Sequence, residues 1–254
     1  MKKNGIDNYL ESRNLFRDYY RTSFGKENIF PKDTKFRHFR LEIFSRKKRR
    51  FLRLKDIYHD QIMLKEKIIK VVPKNAYYTP VKWLNPIYVS KTKDELDVML
   101  TSPLYFDVDG SHLPIKSFDS AKRMAQRLID YIYDNYSKSH DLIIFSGRQG
   151  FHIYYWNWDT ELIIKMSPSK RLECFIQKRN KLLKELENNN IIVDQTVTPD
   201  PYRILKISHT LHGTTGLIAK PVKKLSEFNP IKQCLAFTIE KYETIFNLDF
   251  SFFE

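Results

Sequence analysis

The feature that most narrows the possible folds is the apolar spacing between residues 118 and 136. Phe118, Ala121, Met124, Ala125, Leu128, Ile129, Ile132, Tyr133 and Tyr136 recur with a helical period, leaving one face to bury. The spacing predicts a helix over 118–136, with Ser117 or Asp119 placed to cap its start. Short runs of aromatic and branched residues flank it, at 104–108 and 141–145, and each reads as a buried strand. This is a strand–helix–strand unit, and parallel strands would share a sheet through a right-handed crossover. Residues 150–156 read as a further strand, reached through the turn Gly147-Arg148-Gln149-Gly150, so the pair is a hairpin. Residues 169–188 read as a helix, followed by strand-like pieces at 191–197, 203–207 and 217–222. The expected class is α/β (α+β), a mixed sheet with flanking helices.

Charge narrows the partners. Lys and Arg number 44 against 30 Asp and Glu, a net +14. Such an excess favours polyanions, whose condensed counterions are released on binding; a lysine-rich solvated surface gives the same number. The basic residues concentrate at 45–55, where apolar residues alternate with them, as in a strand with one cationic face or a solvated basic loop. Two cysteines, Cys174 and Cys234, exclude a disulfide framework and a four-cysteine zinc site within this chain. No apolar stretch follows the first two lysines, and apolar runs such as 142–145 are too short to span a bilayer. A soluble intracellular protein is expected.

Four elements carry chemistry. Asp107 and Asp109 end the first strand two residues apart, so alternation turns both carboxylates to one side. Hard oxygen donors of this kind suit Mg²⁺ or Mn²⁺, although an acidic pair before Gly110 is also what an ordinary turn shows. Ser146-Gly147-Arg148-Gln149-Gly150-Phe151-His152 joins two strands, so it is not a Walker loop. Its turn N–H groups, with Ser146, Arg148 and His152, suit a triphosphate; a glycine hairpin with a core histidine is the plainer reading. Asp194 closes a buried apolar run, where a carboxylate needs a metal, a salt bridge or an outward turn. Lys206 and His212 suit a nucleotide's negative charge, while His209 and His212 lack the companions a zinc site needs.

The order of these elements resembles the catalytic small subunit of archaeal and eukaryotic replicative primases. The D-x-D pair, S-G-x-x-G-x-H, a strand-end Asp and K-x5-H follow in the family's sequence, with Lys206 twelve and His212 eighteen residues after Asp194. The phrase L-H-G-T-T-G-L around His212 is similar to the family's S-L-H-G-K-T-G-L, with Thr214 in place of the usual Lys. Tyr19-Tyr20, Arg37-His38-Phe39 and residues 73–80 resemble its amino-terminal markers, so the likeness covers about 15–222.

The resemblance implies a mixed-sheet primase-polymerase core over 1–222, with 223–254 as an extension packed on or appended to it. It implies that Asp107, Asp109 and Asp194 are catalytic and hold two Mg²⁺ or Mn²⁺ ions, for template-directed nucleotidyl transfer making short primers on single-stranded DNA. Ser146, Arg148, His152, Lys206 and His212 would bind the incoming nucleoside triphosphate, joined by Arg50 of the basic run. Gln149 stands where the family often has a second basic residue. The family's usual zinc knuckle has no counterpart here. Implied partners are single-stranded DNA, nucleoside triphosphates and a primase large subunit or other replication partner. The setting would be the cytoplasm or nucleoid in an archaeon, virus or plasmid host, and the nucleus in a eukaryote. Competing readings are a repair-type polymerase that only extends primers, a non-catalytic nucleic-acid-binding subunit and a D-x-D glycosyltransferase. The last leaves the second and fourth elements unexplained.

Overall fold

Alternating side chains sort this chain into two small antiparallel sheets; the first has an apolar and a polar face, while the second is buried on both, with Asp107 and His152 sharing one face with Tyr105, Ile144 and Tyr154. The structure is a computed structural model and describes residues 2–46, 48–89, 98–158 and 165–253; Lys47 of the basic run lies outside them. The first sheet takes β1 (Phe39–Ile43), β2 (Arg50–Arg53), β3 (Asn75–Tyr78) and β9 (Leu205–Lys206) in the order β2-β1-β3-β9. The second takes β6 (Leu104–Asp109), β7 (Leu142–Phe145), β8 (Gly150–Tyr155) and β10 (Lys220–Pro221) in the order β10-β7-β8-β6. A short pair, β4 (Lys82–Trp83) and β5 (Met99–Thr101), stands apart.

The strand–helix–strand unit forms, with one addition. β6 and β7 run in the same direction, but β8 lies between them and pairs antiparallel with both. The hairpin turn therefore brings the start of β8 beside the end of β6, where Asp107 pairs with His152 and Asp109 with Gly150. Helix α3 (Phe118–Tyr136) buries Ala121, Ala125, Leu128 and Ile132 against Phe106, Val108, Phe151 and Ile153. Its cap is Ser117, whose hydroxyl accepts from Ser120 N, a bond contributing about 1 kcal/mol. Ser137, in the left-handed region, ends it. Helices α1 (Lys2–Thr22) and α2 (Gln61–Val71) flank the first sheet's core; α4 (Pro168–Asn188) packs Leu182, Leu183 and Leu186 into the second. Residues 228–253, with short helices α5 (Pro230–Gln233) and α6 (Ile239–Ile245), add Phe228, Cys234, Tyr242 and Phe253 to that same core.

Three strand-like pieces of the sequence shrink or vanish. Residues 191–194 are extended without a ladder, because the Asp194 N–H is taken by Asp107 O at 2.8 Å and the chain then turns. Only Leu205–Lys206 of 203–207 and Lys220–Pro221 of 217–222 form strands, with Ile218 in an isolated bridge to Leu211. The 45–55 run becomes a strand only from Arg50, and all four residues of β2 are exposed.

Buried His38 contributes to the fold's acid sensitivity. His38 is 2% exposed, with Nδ1 3.0 Å from Pro86 O and Nε2 3.2 Å from Arg40 Nε. Arginine only donates, so Nε2 accepts, Nδ1 donates and the ring is neutral. Burial and then Arg40 push its pKa down to about 4. The unfolded chain binds this proton near pH 6.5, so the stability is fully present above that pH and lost as pH falls towards 4. The loss amounts to roughly 3 kcal/mol. Urea unfolding at pH 7.5 and pH 4 is expected to show this, and His38→Gln is expected to shrink the difference by roughly 3 kcal/mol; an equal acid loss in the variant would assign it to other groups.

Candidate active site

A cleft of about 610 Å³ is lined by residues of both sheets. The second sheet contributes Asp107, Asp109 and His152; Ser146 and Arg148 come from the hairpin turn. Lys206 and His212 stand opposite, with Arg40, Arg49, Phe51 and Tyr77 of the β1, β2 and β3 region. Seven of the sequence-selected residues thus line one cavity, assembled from segments about a hundred residues apart.

The carboxylates crowd. Burial, then Asp109 and Asp194, push the Asp107 carboxyl up to about 7. Asp109 lies below its usual value: burial raises it, but bonds from Ser111 and Gln149 outweigh that. Gln149 thus has a place, its amide donating to Asp109 Oδ1 at 3.3 Å. Asp194 Oδ1 accepts from Thr196 N and Oγ1, while Oδ2 lies 3.4 Å from Arg203 Nη2 and 3.9 Å from His112 Nδ1. Among the described residues no three His, Cys, Asp or Glu side chains are grouped as a ready metal cage. Asp194 is paired instead with Arg203.

The basic side is held by close packing. Gly147 has φ +94°, and a Cβ there would stand 2.6 Å from the His212 Cβ, so only glycine lets the hairpin turn reach the 212–217 loop. Thr215 Oγ1 donates to Gly147 O across that contact. His152 Nε2 is 3.8 Å from Asp107 Oδ1, and its buried Nδ1 has no hydrogen-bond partner. Burial and then Lys206 push His152 down to about 3, and the same causes hold His212 well below its usual value. Both rings are neutral at pH 7, so they can act as hydrogen-bond donors rather than cations. Lys206, 2% exposed, is itself pushed down by burial.

Arg50 does not join this group. On β2 the cleft-facing residue is Phe51, so alternation turns Arg50 to the other face, and Arg49 and Arg40 reach the cleft instead. Arg203, Arg49, Phe51 and Tyr77 were not selected from the sequence. The alternation within 45–55 was the available signal for the second and third of these, but a one-residue ambiguity in register hid it.

No family model matches the chain. Curated relatives do. The chain is similar to the DNA primase small subunit PriS of Archaeoglobus fulgidus, 25% identical over 67% of this chain and 68% of that protein. It is also similar to PriS of Thermoplasma acidophilum, 25% identical over 87% of this chain and 83% of the relative. With PriS of Pyrobaculum arsenaticum the identity is again 25%, but the match spans only 63% of each protein. Among solved structures, the polymerase domain of Mycobacterium tuberculosis Ligase D in complex with DNA superposes with a TM-score of 0.52. It is 12% identical and covers 94% of this chain and 87% of that one.

Proposed function

Taking the chain as a relative of the archaeal primase small subunits, we propose that it is the catalytic subunit of a DNA primase, making short primers on single-stranded DNA from nucleoside triphosphates. The observation that carries this is the single cleft lined by Asp107, Asp109, Arg148, Lys206 and His212. Carboxylates and phosphate-binding groups gathered in one cleft are what template-directed nucleotidyl transfer requires.

The donor set fits a divalent cation. Asp107 and Asp109 offer hard oxygens from one strand end, and the Asp107 carboxyl is raised by burial and then by Asp109 and Asp194, a crowding that a divalent cation would relieve. Asp194 would complete the set by exchanging Arg203 for an ion. Two Mg²⁺ or Mn²⁺ ions, when bound, would activate the primer 3′-hydroxyl and neutralise the leaving pyrophosphate. The chain's own residues orient the substrate. Arg148 and the turn N–H groups offer a fork and a nest to the phosphates. Neutral His152 and His212 donate hydrogen bonds to the phosphates. Lys206 supplies charge from the opposite wall.

We assign the catalytic core to residues 1–222 and treat 223–254 as its extension, although Phe228 and Tyr242 share the core beneath α3. No helix of the described residues is long and apolar enough to cross a membrane. The setting proposed is the cell's replication machinery, with a large subunit as partner. Likeness to a ligase's polymerase domain favours a second reading, extension of existing primers.

The two separate in one assay. Purified chain, single-stranded DNA, Mn²⁺ and labelled nucleotides without primer are expected to yield short products. Products only when a primer is added would favour extension; none in either case would overturn a catalytic role for the chain alone.

A further inference from the structure

The cleft wall opposite the carboxylates contains a buried chain of hydrogen bonds that the nucleotide reading leaves unused. Glu42 on β1, Asn75 on β3 and Lys206 on β9 are 5%, 5% and 2% exposed. The strand register sets Glu42 beside Asn75 and Lys206 beside Tyr77 on one face. Asn75 Nδ2 donates to Glu42 Oε2 at 2.9 Å. Asn75 Oδ1 accepts from Lys206 Nζ and, at 2.9 Å, from Gly213 N. Lys206 Nζ also donates to Leu211 O at 2.8 Å, and Glu42 Oε2 receives Arg49 Nη2 at 3.1 Å. The amide has one consistent orientation, because an ammonium and a peptide N–H only donate and a carboxylate only accepts.

We propose that Glu42 and Asn75 are positioning residues that hold Lys206, the 211–213 turn carrying His212, and Arg49 in one register against the phosphates of the bound nucleotide. The inference rests on the nucleotide reading of the cleft.

Three features support a device for phosphate over mere satisfaction of a buried lysine. The acceptor touching Lys206 is a neutral amide, which orders the ammonium without cancelling its charge; the carboxylate stands one residue further out, at Glu42. Two of the three ammonium N–H groups are used by Asn75 and Leu211, and Nζ lies 5.3 Å from the Tyr77 ring centroid in the cleft lining. Gly213 has no room for a side chain: a Cβ would meet Asn75 Nδ2 at 2.6 Å, so the glycine lets the turn's backbone reach the amide. The same Glu42 oxygen that orients the amide also ties down Arg49, whose side chain is 62% exposed at the cleft rim.

The test moves charge without removing hydrogen bonds. In the double variant Glu42→Gln/Asn75→Asp, Gln donates to the new carboxylate, which still accepts from Lys206 and Gly213, but the negative charge now sits on Lys206. Primed nucleotide incorporation is expected to show the nucleotide KM raised about tenfold, the factor for one weakened charge-assisted bond. The kcat is expected to stay within about twofold and the thermal midpoint near wild type. Asn75→Ala, which removes the acceptor, serves as the second arm and is expected to raise KM comparably should the double variant melt early. An unchanged KM in a folded variant, or KM, kcat and melting shifting together, would overturn the positioning role. Absence of incorporation by the wild type would instead remove the nucleotide reading, and the inference with it.

Discussion

Asp107→Asn is expected to cut nucleotide incorporation by at least about 10³-fold, which corresponds to roughly 4 kcal/mol of lost transition-state stabilisation. The fold is expected to survive, and in EDTA at pH 8 to melt no earlier than wild type. Asp107 is squeezed between burial, Asp109 and Asp194, so its carboxyl is pushed up to about 7. A raised folded pKa means the neutral form is favoured in the fold. That stability is fully present below the unfolded value near 3.8 and is lost as pH rises through about 7. Asparagine keeps the shape and never ionises, so the gap between variant and wild type should widen from pH 5 to pH 8. Labelled-nucleotide incorporation and thermal melting at the two pH values check both halves. Activity within tenfold of wild type, or a variant melting well below it at pH 8, would show the carboxylate to be structural.

Gly147→Ala is expected to be the most damaging single-methyl change in the cleft. It forces a side chain onto φ +94° and drives the Cβ to 2.6 Å from the His212 Cβ and 3.2 Å from Leu217 O. Strain and overpacking together should cost roughly 3 kcal/mol in urea unfolding. Relief requires the hairpin turn and the 212–217 loop to separate, and these carry Arg148 and His212. A displacement of about 1 Å in such groups lowers kcat/KM about 10²-fold, measured as single-nucleotide extension of a primed template. Wild-type stability and turnover in this variant would mean that the two loops do not meet as described.

Local chemistry made part of this protein legible. The apolar period of 118–136 is a helix from Phe118 to Tyr136, since its face, cap and flanking strands all agree. Asp107 and His152 were separable as motif residues, but the glycine turn only sets β8 beside β7; what brings the two together is the pairing of β8 with β6 as well. What could not be read is set by register. Whether Arg49 or Arg50 faces the cleft depends on one residue of alternation in a run where both are arginine. Asp194 lies on an apolar run that resembles a strand, yet its N–H goes to Asp107 O and its carboxylate to Arg203, partners no spacing indicates. Likewise, Glu42, Asn75 and Lys206 come together only because β3 pairs with both β1 and a two-residue β9.

Metal-dependent nucleotidyl transfer in this cleft is tested most directly by Mn²⁺ binding followed by electron paramagnetic resonance. Wild-type protein is expected to bind Mn²⁺ more tightly once a nucleoside triphosphate is present, and the Asp107→Asn/Asp109→Asn variant to lose that binding while remaining folded. Equal Mn²⁺ binding by both proteins, with and without nucleotide, would contradict the account.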